Sequence, residues 1–317
     1  MSPAPPRTAS NHRASNLRTA TLPFCRLLLV LSWLWLCQPL SALWVCSYNL
    51  HNWLSQTQRG SALPLTKPER EKQVAVRLLV SLHPDVLCVS EIGAESEVDD
   101  LQLRLKTAGL DLPHRHAVGG SDPMRRLAVL SRLPLTAQPP AAELSYRLDG
   151  RTMSVQRGFL DVEVLVSKNF SFRLMAAHLK SMREVEDGDQ DLMRRHEARL
   201  LRKHLDASLQ PSNSTRLLCV GDLNDHLNSP TLRTLIGRGG SHPLWLLNPV
   251  DQRGEGWTHY WRAAGVYSRL DYALASPTLK PLIKGCHIPD DREWMEASDH
   301  RPLLIEIQEP NSSGADP

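Results

Sequence analysis

Short apolar runs of strand length alternate with helical segments along this 317-residue chain, and this alternation constrains the fold more than any other feature. The run from Leu43 to Tyr48 precedes a helical segment, and the run from Val86 to Val89 follows it. Strands that are apolar on both faces are typical of buried sheets. Two longer runs, Phe159 to Val166 and Phe170 to Ala177, are separated by three polar residues and predict a β-hairpin. The pattern therefore predicts an α/β fold with a mixed sheet. Further strands are predicted at Leu127 to Leu130, Leu217 to Val220, Leu270 to Leu274 and Leu303 to Ile307.

Three helices are predicted between these strands. The first begins with Thr66 and Glu69 at the spacing of a capping box, and Pro84 ends it. The second is predicted to begin with Ser96 as its cap and to end at Gly109. The third has an apolar side formed by Ala198, Leu201, Leu205 and Leu209. Its basic residues are expected to form a solvated face in preference to a nucleic-acid patch. They are Arg194, Arg195, Arg199, Arg202 and Lys203.

The first 42 residues have the composition of a secretory signal peptide. They contain four arginines, no acidic residue and an apolar run from Leu27 to Leu36. This run is shorter than the ~20 apolar residues that a membrane span requires, and an uncleaved N-terminal anchor is the alternative. We therefore expect a secreted or periplasmic protein, or one anchored to a membrane. Residues 43–309 are expected to form the functional domain, and residues 310–317 are expected to form a disordered tail.

The charge of the remaining 275 residues argues against one class of partner. They carry 33 basic and 34 acidic side chains, a net charge of −1. Tight nonspecific binding of nucleic acid usually needs many phosphate contacts from lysine and arginine, so it is disfavoured here.

Four cysteines follow the predicted signal, namely Cys46, Cys88, Cys219 and Cys286. An exported chain could pair them in three ways. The first three lie inside apolar strands, where a free thiol behaves as a small hydrophobic group. We therefore favour buried thiols over a disulfide framework.

Polar residues directly follow several of the predicted strands. Carboxylates and amides in such positions can converge on one cation at the edge of a sheet, and they suit Mg²⁺ or Mn²⁺ better than softer metals. Cleavage of a phosphate ester needs such a cation, a positioned water and donors for the phosphoryl oxygens. The residues concerned are Asn49, Glu91, Asp222, Asn224, Asp299 and His300.

In type and order along the chain, these segments resemble the endonuclease/exonuclease/phosphatase superfamily. The resemblance extends from about Trp44 to Ile307 and departs from the family pattern at Ser90, where many members have glutamine before the metal-binding glutamate. It implies a four-layer α/β sandwich in which two mixed β-sheets lie face to face and are flanked by helices. The matching segments are a strand ending in Asn49, Glu91 after an apolar strand, Ala177-His178-Leu179, Gly221-Asp222-Leu223-Asn224, Arg269-Leu270-Asp271-Tyr272 and Ser298-Asp299-His300.

The resemblance also implies metal ligands. Glu91 would be the main metal carboxylate, with Asn49 and Asp299 near the cation, directly or through water. The departure at Ser90 affects the surroundings of Glu91 more than metal binding itself. The implied cofactor is Mg²⁺ or Mn²⁺.

The catalytic roles follow from the same resemblance. Asp222 would orient or deprotonate the attacking water, from a position on the surface of the cleft. Asn224 would hold the water or a phosphoryl oxygen, and His178 would lie near the leaving oxygen. His300, oriented by Asp271, would contact the phosphate as charge builds in the transition state.

Further polar residues near these segments could bind substrate. We predict Arg157 and Tyr260 as substrate-binding residues in addition to Asn224 and His178, and His196 and His259 are further candidates. Trp257 and Trp261, on either side of Tyr260, could contact a membrane or stack on nucleic-acid bases.

The sequence therefore predicts an exported, divalent-metal-dependent phosphoesterase that attacks a phosphodiester with water in line. We favour an endonuclease-type hydrolase. A sphingomyelinase-like enzyme or another small-molecule phosphodiesterase or phosphatase is the alternative, because fold-level similarity does not choose a substrate. A catalytically silent module that binds a phosphate ligand or a protein is an alternative of another class. We expect a monomer that binds its phosphate-ester substrate, a nucleic acid, lipid or small molecule, without an obligate protein partner.

Overall fold

The computed structural model describes residues 42–56, 65–184, 186, 188–209, 214–237 and 242–310. Strands make up most of the regular structure in these residues, and the predicted α/β class is confirmed. The strands are β1 Ala42–Trp53, β2 Ser55–Gln56, β3 Leu65–Thr66, β4 Val86–Ile92, β5 His114–Val118, β6 Arg126–Ser131, β7 Leu135–Ala137, β8 Ser145–Leu148, β9 Arg151–Ser154, β10 Phe159–Ser167, β11 Phe170–His178, β12 Leu217–Asp222, β13 Trp245–Leu246, β14 His259–Trp261, β15 Val266–Ser268, β16 Asp271–Ala275, β17 Ile283–His287 and β18 Leu303–Gln308. The helices are α1 Glu69–Leu82, α2 Glu95–Thr107, α3 Gln190–Leu209, α4 Pro230–Ile236 and α5 Trp294–Ala297, with a 3₁₀ turn at Lys280–Leu282.

The larger strands of the described residues form two six-stranded sheets. The first sheet has the order β17-β18-β1-β4-β6-β5, and the second has the order β13-β16-β12-β11-β10-β7. In each sheet one central pair is parallel, β1 with β4 and β11 with β12, while the other pairs are antiparallel. Both sheets are therefore mixed, as predicted, and the predicted hairpin is β10 and β11.

Alternating side chains of each strand face opposite layers. In β1, Val45 faces the core between the two sheets, and Cys46 and Tyr48 face the helices α1, α2 and α5. The second sheet packs its outer face, with residues such as Cys219, against α3 and α4. The resulting order of layers is helices, sheet, sheet, helices. The four-layer sandwich implied by the family resemblance is confirmed.

Two of the predicted helix caps are wrong. Helix α1 has Pro68 at its N-cap without a side-chain capping bond, and Thr66 belongs to β3. Helix α2 has Ala94 at its N-cap, so Ser96 lies inside the helix, where its hydroxyl contacts Glu97. In both cases the sequence spacing fits a cap, but the observed N-cap lies two residues away from the predicted one.

The basic residues of α3 are not all on a solvated face. Arg194 and Arg202 are buried, whereas Arg199 and Lys203 are exposed as expected. The Arg194 guanidinium contacts Asp225 and Asp191, so an acidic partner compensates its burial. The expectation is therefore wrong for two of the five basic residues, because helix α3 packs against α4 and the loops beside it.

Within the described residues, Cys46, Cys88, Cys219 and Cys286 are all free thiols. The preference for buried thiols is confirmed for the first three, which are buried in strands, while Cys286 is half-buried. None of the helices in the described ranges combines the length and apolar character needed to cross a bilayer. The predicted signal peptide lies outside the described residues except for Ala42, which begins β1, and the predicted tail lies outside them except for Pro310.

Candidate active site

The predicted site residues come together where the ends of the two sheets meet. In the second sheet, Asp222 is the register partner of both His178 on β11 and Asp271 on β16, so these three lie side by side. From the first sheet, the amide nitrogen of Asn49 reaches across and donates to Asp222 at 3.0 Å. Glu91 approaches the same place, with Oε1 lying 3.9 Å from Nε2 of His178. Strand pairing therefore assembles residues that are far apart in sequence.

Local backbone distortions occur at two of the predicted site residues. Glu91 has a φ of +57°, and the pairing of β4 with β6 shifts register between Ser90 and Ile92. Asn224 has a φ of +51°. Left-handed conformations are unfavourable for residues with a Cβ, and they concentrate at functional sites. The bulge explains why Glu91 turns towards the second sheet instead of continuing the alternation of its strand.

Asp222 is the centre of the cluster. Its Oδ2 lies 3.5 Å from Nε2 of His178 and 3.7 Å from Nε2 of His300, and the same oxygen accepts the bond from Asn49. Its Oδ1 accepts a hydrogen bond from the backbone N–H of Asn224 at 2.9 Å. Only 2% of Asp222 is exposed, so the expected surface position is wrong. The side chain is a buried carboxylate at the floor of the cleft.

His300 and Asp271 form the pair that the resemblance implies. The imidazole Nδ1 lies 2.8 Å from Oδ2 of Asp271, and both side chains are buried. The buried hydroxyl of Thr258 accepts the backbone N–H groups of Leu270 and Asp271, which fixes the start of β16. With Nδ1 engaged, the ring directs Nε2 towards Asp222 and the cleft.

Burial and neighbouring charges shift the pKa values of Asp222 and His300. Burial raises the pKa of Asp222 to about 7, against the opposing effect of His300. Burial alone would lower the pKa of His300, but the carboxylates of Asp271 and Asp222 raise it to about 10. At neutral pH the site therefore combines an imidazolium with a carboxylate that can take up a proton.

The residues predicted to bind metal fit a hard divalent cation. The Glu91 side chain is 17% exposed, and its Oε2 accepts the backbone N–H of Asn52 at 3.1 Å, which orients Oε1 towards the cleft. The cleft also holds the carboxylates of Asp222 and Asp299. Such an oxygen-rich, negatively charged set suits Mg²⁺ or Mn²⁺, and a bound cation would offset the repulsion among the carboxylates. Asn49 orients Asp222 and accepts the N–H of His51 through its own amide oxygen, so its contact with a cation stays a prediction.

His178 lies on the other side of Asp222. Burial lowers its pKa well below the usual value, and the charge of Arg157 adds to this effect, so the ring is neutral. Its buried Nδ1 finds no hydrogen-bond partner among the described residues. The predicted substrate residue Arg157 is also buried, and its Nε lies 3.5 Å from Asp122. His178 therefore lies in the cleft and Arg157 is close enough to act on its charge, while contact of either residue with a phosphate stays a prediction.

The other candidates differ in position. The Asn224 amide donates to the carbonyl of Leu179 at 3.0 Å, which joins the ends of β11 and β12. Tyr260 lies on β14, and its backbone N–H donates to the carbonyl of Asp299, so the β14–β15 hairpin borders the site. His196 stacks on Tyr146, which belongs to a small hydrophobic cluster with Leu148 and Met193, at a ring distance of 4.9 Å. The structure therefore favours Asn224 and Tyr260 over His196 as site residues.

Two site-supporting residues were not predicted. Glu197 on α3 is fully buried, and its two oxygens accept the backbone N–H groups of Gln156 at 3.0 Å and Lys180 at 2.7 Å. It thereby holds the segments that carry Arg157 and His178, and the signal was a glutamate on the otherwise apolar face of a predicted helix. Arg125 was also missed; its Nε lies 3.0 Å from Oδ1 of Asn52 and 4.0 Å from Glu91.

Comparison with known proteins identifies the family of this chain and agrees with its fold. Residues 52–300 match the model of the Endonuclease/Exonuclease/phosphatase family, and the chain belongs to that family. Members of the family are generally hydrolases that act on phosphoesters, and the family depends on divalent metals. The match begins just after Asn49 and includes the other predicted site residues.

Solved structures of the same fold carry different names. An endonuclease/exonuclease/phosphatase family protein from Leptotrichia buccalis aligns with a TM-score of 0.61 and 16% identity over 84% of this chain and 100% of that chain. Sphingomyelinase C from Streptomyces griseocarneus gives 0.58 and 16%, over 84% and 100%. An AP endonuclease from Archaeoglobus fulgidus gives 0.54 and 15%, over 84% and 99%. At these identities the likeness shows the fold. None of the curated proteins compared with the chain matches its sequence.

Proposed function

We propose that this protein is an exported, divalent-metal-dependent phosphodiester hydrolase of the endonuclease type. The observation that carries the proposal is the buried carboxylate of Asp222, which lies between the imidazoles of His178 and His300 and opposite Glu91. Family membership supports hydrolysis of a phosphoester, and the oxygen-rich cleft supports a hard cation such as Mg²⁺ or Mn²⁺.

The roles of the side chains follow from their positions. Asp222 is suited to orient the attacking water and accept its proton, because burial raises its pKa to about 7. His300, held as an imidazolium by Asp271, donates to a phosphoryl oxygen as negative charge builds there. Neutral His178 lies beside Asp222, where it can hydrogen-bond the leaving oxygen. Glu91, together with Asp299 and Asn49, would hold the cation. The chemistry that a bound cation supplies is neutralisation of charge on the phosphoryl oxygens.

In the proposed mechanism, water activated by Asp222 attacks the phosphorus directly, and no covalent enzyme intermediate forms. The acidic and imidazole groups can both move protons, and Arg157 and Arg125 add positive charge near Asp122 and Glu91. A silent binding module would have no chemical need for a cation-binding glutamate together with a proton acceptor and an imidazolium. The presence of all three together supports an enzyme.

A second candidate is a sphingomyelinase-like phosphodiesterase, and the β14–β15 hairpin favours it. The hairpin borders the site through the contact of Tyr260 with Asp299, and its exposed side chains include Trp261, Val266 and Tyr267. Exposed aromatic and aliphatic groups beside a catalytic cleft suit a lipid surface. The same rings could stack on bases, so the hairpin is compatible with both substrate classes.

A substrate panel tests the proposal. The purified protein is assayed with plasmid DNA, RNA, sphingomyelin vesicles and a soluble bis-aryl phosphate, each with Mg²⁺ and with EDTA. We expect Mg²⁺-dependent cleavage of nucleic acid that the Asp222→Asn variant lacks. Preferential cleavage of sphingomyelin would instead establish the lipid enzyme. The absence of cleavage with every substrate would contradict the proposal and favour the binding module.

A further inference from the structure

A second group of metal-binding side chains surrounds Asp299 at the mouth of the cleft. Its Oδ2 lies 3.6 Å from Nε2 of His51 and 3.9 Å from Nε2 of His259. Its Oδ1 lies 4.0 Å from Nε2 of His300. All three distances exceed the length of a hydrogen bond, so none of these atom pairs is hydrogen-bonded.

The imidazoles are oriented as metal ligands usually are. A ligating histidine generally donates its other ring N–H to a nearby acceptor, which leaves the second nitrogen free for the metal. Nδ1 of His259 lies 3.2 Å from the hydroxyl of Ser268, and Nδ1 of His300 lies 2.8 Å from Asp271. Both rings therefore present Nε2 towards Asp299. One ligand atom from each of His259, Asp299 and His300 lies within 4.8 Å of the others.

The backbone holds these residues in place. The β14–β15 hairpin is joined to the segment of Asp299 by the Tyr260 hydrogen bond and by a β-bridge between His259 and His300. His51 lies in a left-handed turn with a φ of +48°, where its N–H donates to Asn49 and its carbonyl accepts from Lys67. The side chain of His51 is 47% exposed and that of Asp299 is 36% exposed, so an ion from solvent can reach them.

The chemistry of this group differs from that of the Glu91 cleft. Imidazole nitrogens with one carboxylate favour borderline ions such as Zn²⁺, whereas Mg²⁺ prefers oxygen ligands. Bonds of about 2.0–2.2 Å from one ion would bring the ligand atoms somewhat closer than the 3.6–4.0 Å found here, a movement that the exposed His51 and Asp299 side chains can make.

We propose that His259, Asp299 and His300 form a binding site for a divalent transition-metal ion of the Zn²⁺ class, and that His51 reaches the ion from the solvent side as a further ligand. The site shares Asp299 with the oxygen-lined cation site at Glu91 and differs from it in its imidazole ligands. Because an ion there would engage His300 and share Asp299, it would remove two groups from the hydrolytic site. Zn²⁺ would therefore oppose Mg²⁺-supported turnover.

Calorimetric titration of the purified protein with Zn²⁺, in buffer containing excess Mg²⁺, tests the site without an activity measurement. We expect one Zn²⁺ per chain, and at least ~10-fold weaker binding in His51→Gln and in His259→Gln. Glu91→Gln separates the two sites, because it should retain Zn²⁺ binding. The matched control is His114→Gln, at an exposed histidine on β5, which should also bind Zn²⁺ as the wild type does.

Co²⁺ in place of Zn²⁺ gives a second readout. Visible absorption typical of a nitrogen-ligated ion should appear with the wild type and be lost in His259→Gln, while the unfolding temperature without metal stays close to that of the wild type. The proposal is overturned if Zn²⁺ fails to bind, if the histidine variants bind it as tightly as His114→Gln does, or if Glu91→Gln abolishes binding. None of these outcomes depends on whether the protein hydrolyses a phosphodiester.

Discussion

The imidazole of His300 and the carboxylate of Asp271 form a buried pair, with Nδ1 and Oδ2 2.8 Å apart, and the opposite ring nitrogen faces Asp222 at 3.7 Å. The pair fixes which nitrogen of the ring faces the cleft and keeps the ring positively charged. It connects strand β16 of the second sheet to the segment that precedes β18 of the first sheet. The chemistry of the site therefore depends on how the two sheets pack.

We expect Asp271→Asn to reduce kcat by about 100- to 10,000-fold with a smaller change in KM, because an amide can hold the wrong ring tautomer and does not stabilise the imidazolium. Steady-state kinetics at saturating Mg²⁺ measures the effect. A loss of less than fivefold would show that His300 works without Asp271.

The same pair predicts a pH dependence. The carboxylates raise the pKa of His300 to about 10 from an ordinary value of 6.5, against the effect of burial. The pairing therefore stabilises the folded state fully below pH 6.5, and this contribution is lost as the pH rises towards 10. In EDTA, the difference in unfolding free energy between wild type and Asp271→Asn should shrink over that window. A difference that grows with pH would contradict the assignment of charge.

Glu91→Gln should weaken the dependence on metal before it affects the fold. Removing one carboxylate from the predicted cation site should raise the Mg²⁺ concentration for half-maximal activity by at least ~10-fold. It should also reduce the rise in unfolding temperature that Mg²⁺ causes in the wild type, since a ligand stabilises the state that it binds. Identical Mg²⁺ titrations by both readouts would reject Glu91 as a ligand.

Glu197 should act as a positioning residue. Glu197→Ala leaves two buried N–H groups, those of Gln156 and Lys180, without their acceptor and should cost about 2 to 4 kcal/mol of unfolding free energy. It should also lower kcat, because the freed segments carry Arg157 and His178. Glu197→Gln retains one acceptor oxygen and should recover part of both losses. Denaturant unfolding and kinetics together measure these effects.

Glu143→Gln is the matched control for this prediction. Glu143 is 53% exposed and pairs with Lys203, which lies on α3 as Glu197 does. Replacement of Glu143 should therefore cost less than about 1 kcal/mol of unfolding free energy and leave kcat unchanged. Equal effects of Glu143→Gln and Glu197→Ala would contradict the positioning role.

The exposed aromatic residues of the β14–β15 hairpin should contribute to binding a large substrate. Trp261→Ala and Tyr267→Ala remove side chains that are 59% and 55% exposed, so the fold should keep its stability. We expect kcat/KM to fall by about 5- to 150-fold for nucleic acid, through lost stacking, and to stay constant for a soluble bis-aryl phosphate. Trp245→Ala, at a tryptophan that is 57% exposed on β13, is the control. Equal losses on both substrates would show that the hairpin supports the site structure instead.

Much of the fold could be predicted because its strands are continuous apolar runs. Six of these runs form largely buried strands, because so many apolar side chains would be unfavourable at the surface. They are β1, β4, β10, β11, β12 and β18. Short edge strands such as β7 and β13 are half-exposed, and their sequences carry little hydrophobic periodicity. The cap predictions at Thr66 and Ser96 failed because the backbone enters α1 and α2 through tertiary contacts that local spacing does not encode.

The convergence of the site residues could be predicted where they lie at the ends of strands, because strand pairing brings those ends together. Asp222, Asp271 and His178 meet because their strands pair in register, which motif order along the chain indicates. Glu197 and His51 act through contacts with distant segments. The one local indication for Glu197 is its place on the apolar face of a predicted helix, and His51 has no such indication. The burial of Asp222 likewise depends on the packing of both sheets.

The role of Asp222 in metal-dependent hydrolysis can be measured with a soluble bis-aryl phosphate, using the wild type and Asp222→Asn, each with Mg²⁺ and with EDTA. We expect turnover only by the wild type with Mg²⁺. We also expect the unfolding free energies of the two proteins to differ by less than about 1 kcal/mol, because the buried carboxylate has a raised pKa and contributes little net stability. Comparable turnover by a folded Asp222→Asn variant, or turnover by the wild type that EDTA does not reduce, would contradict this role.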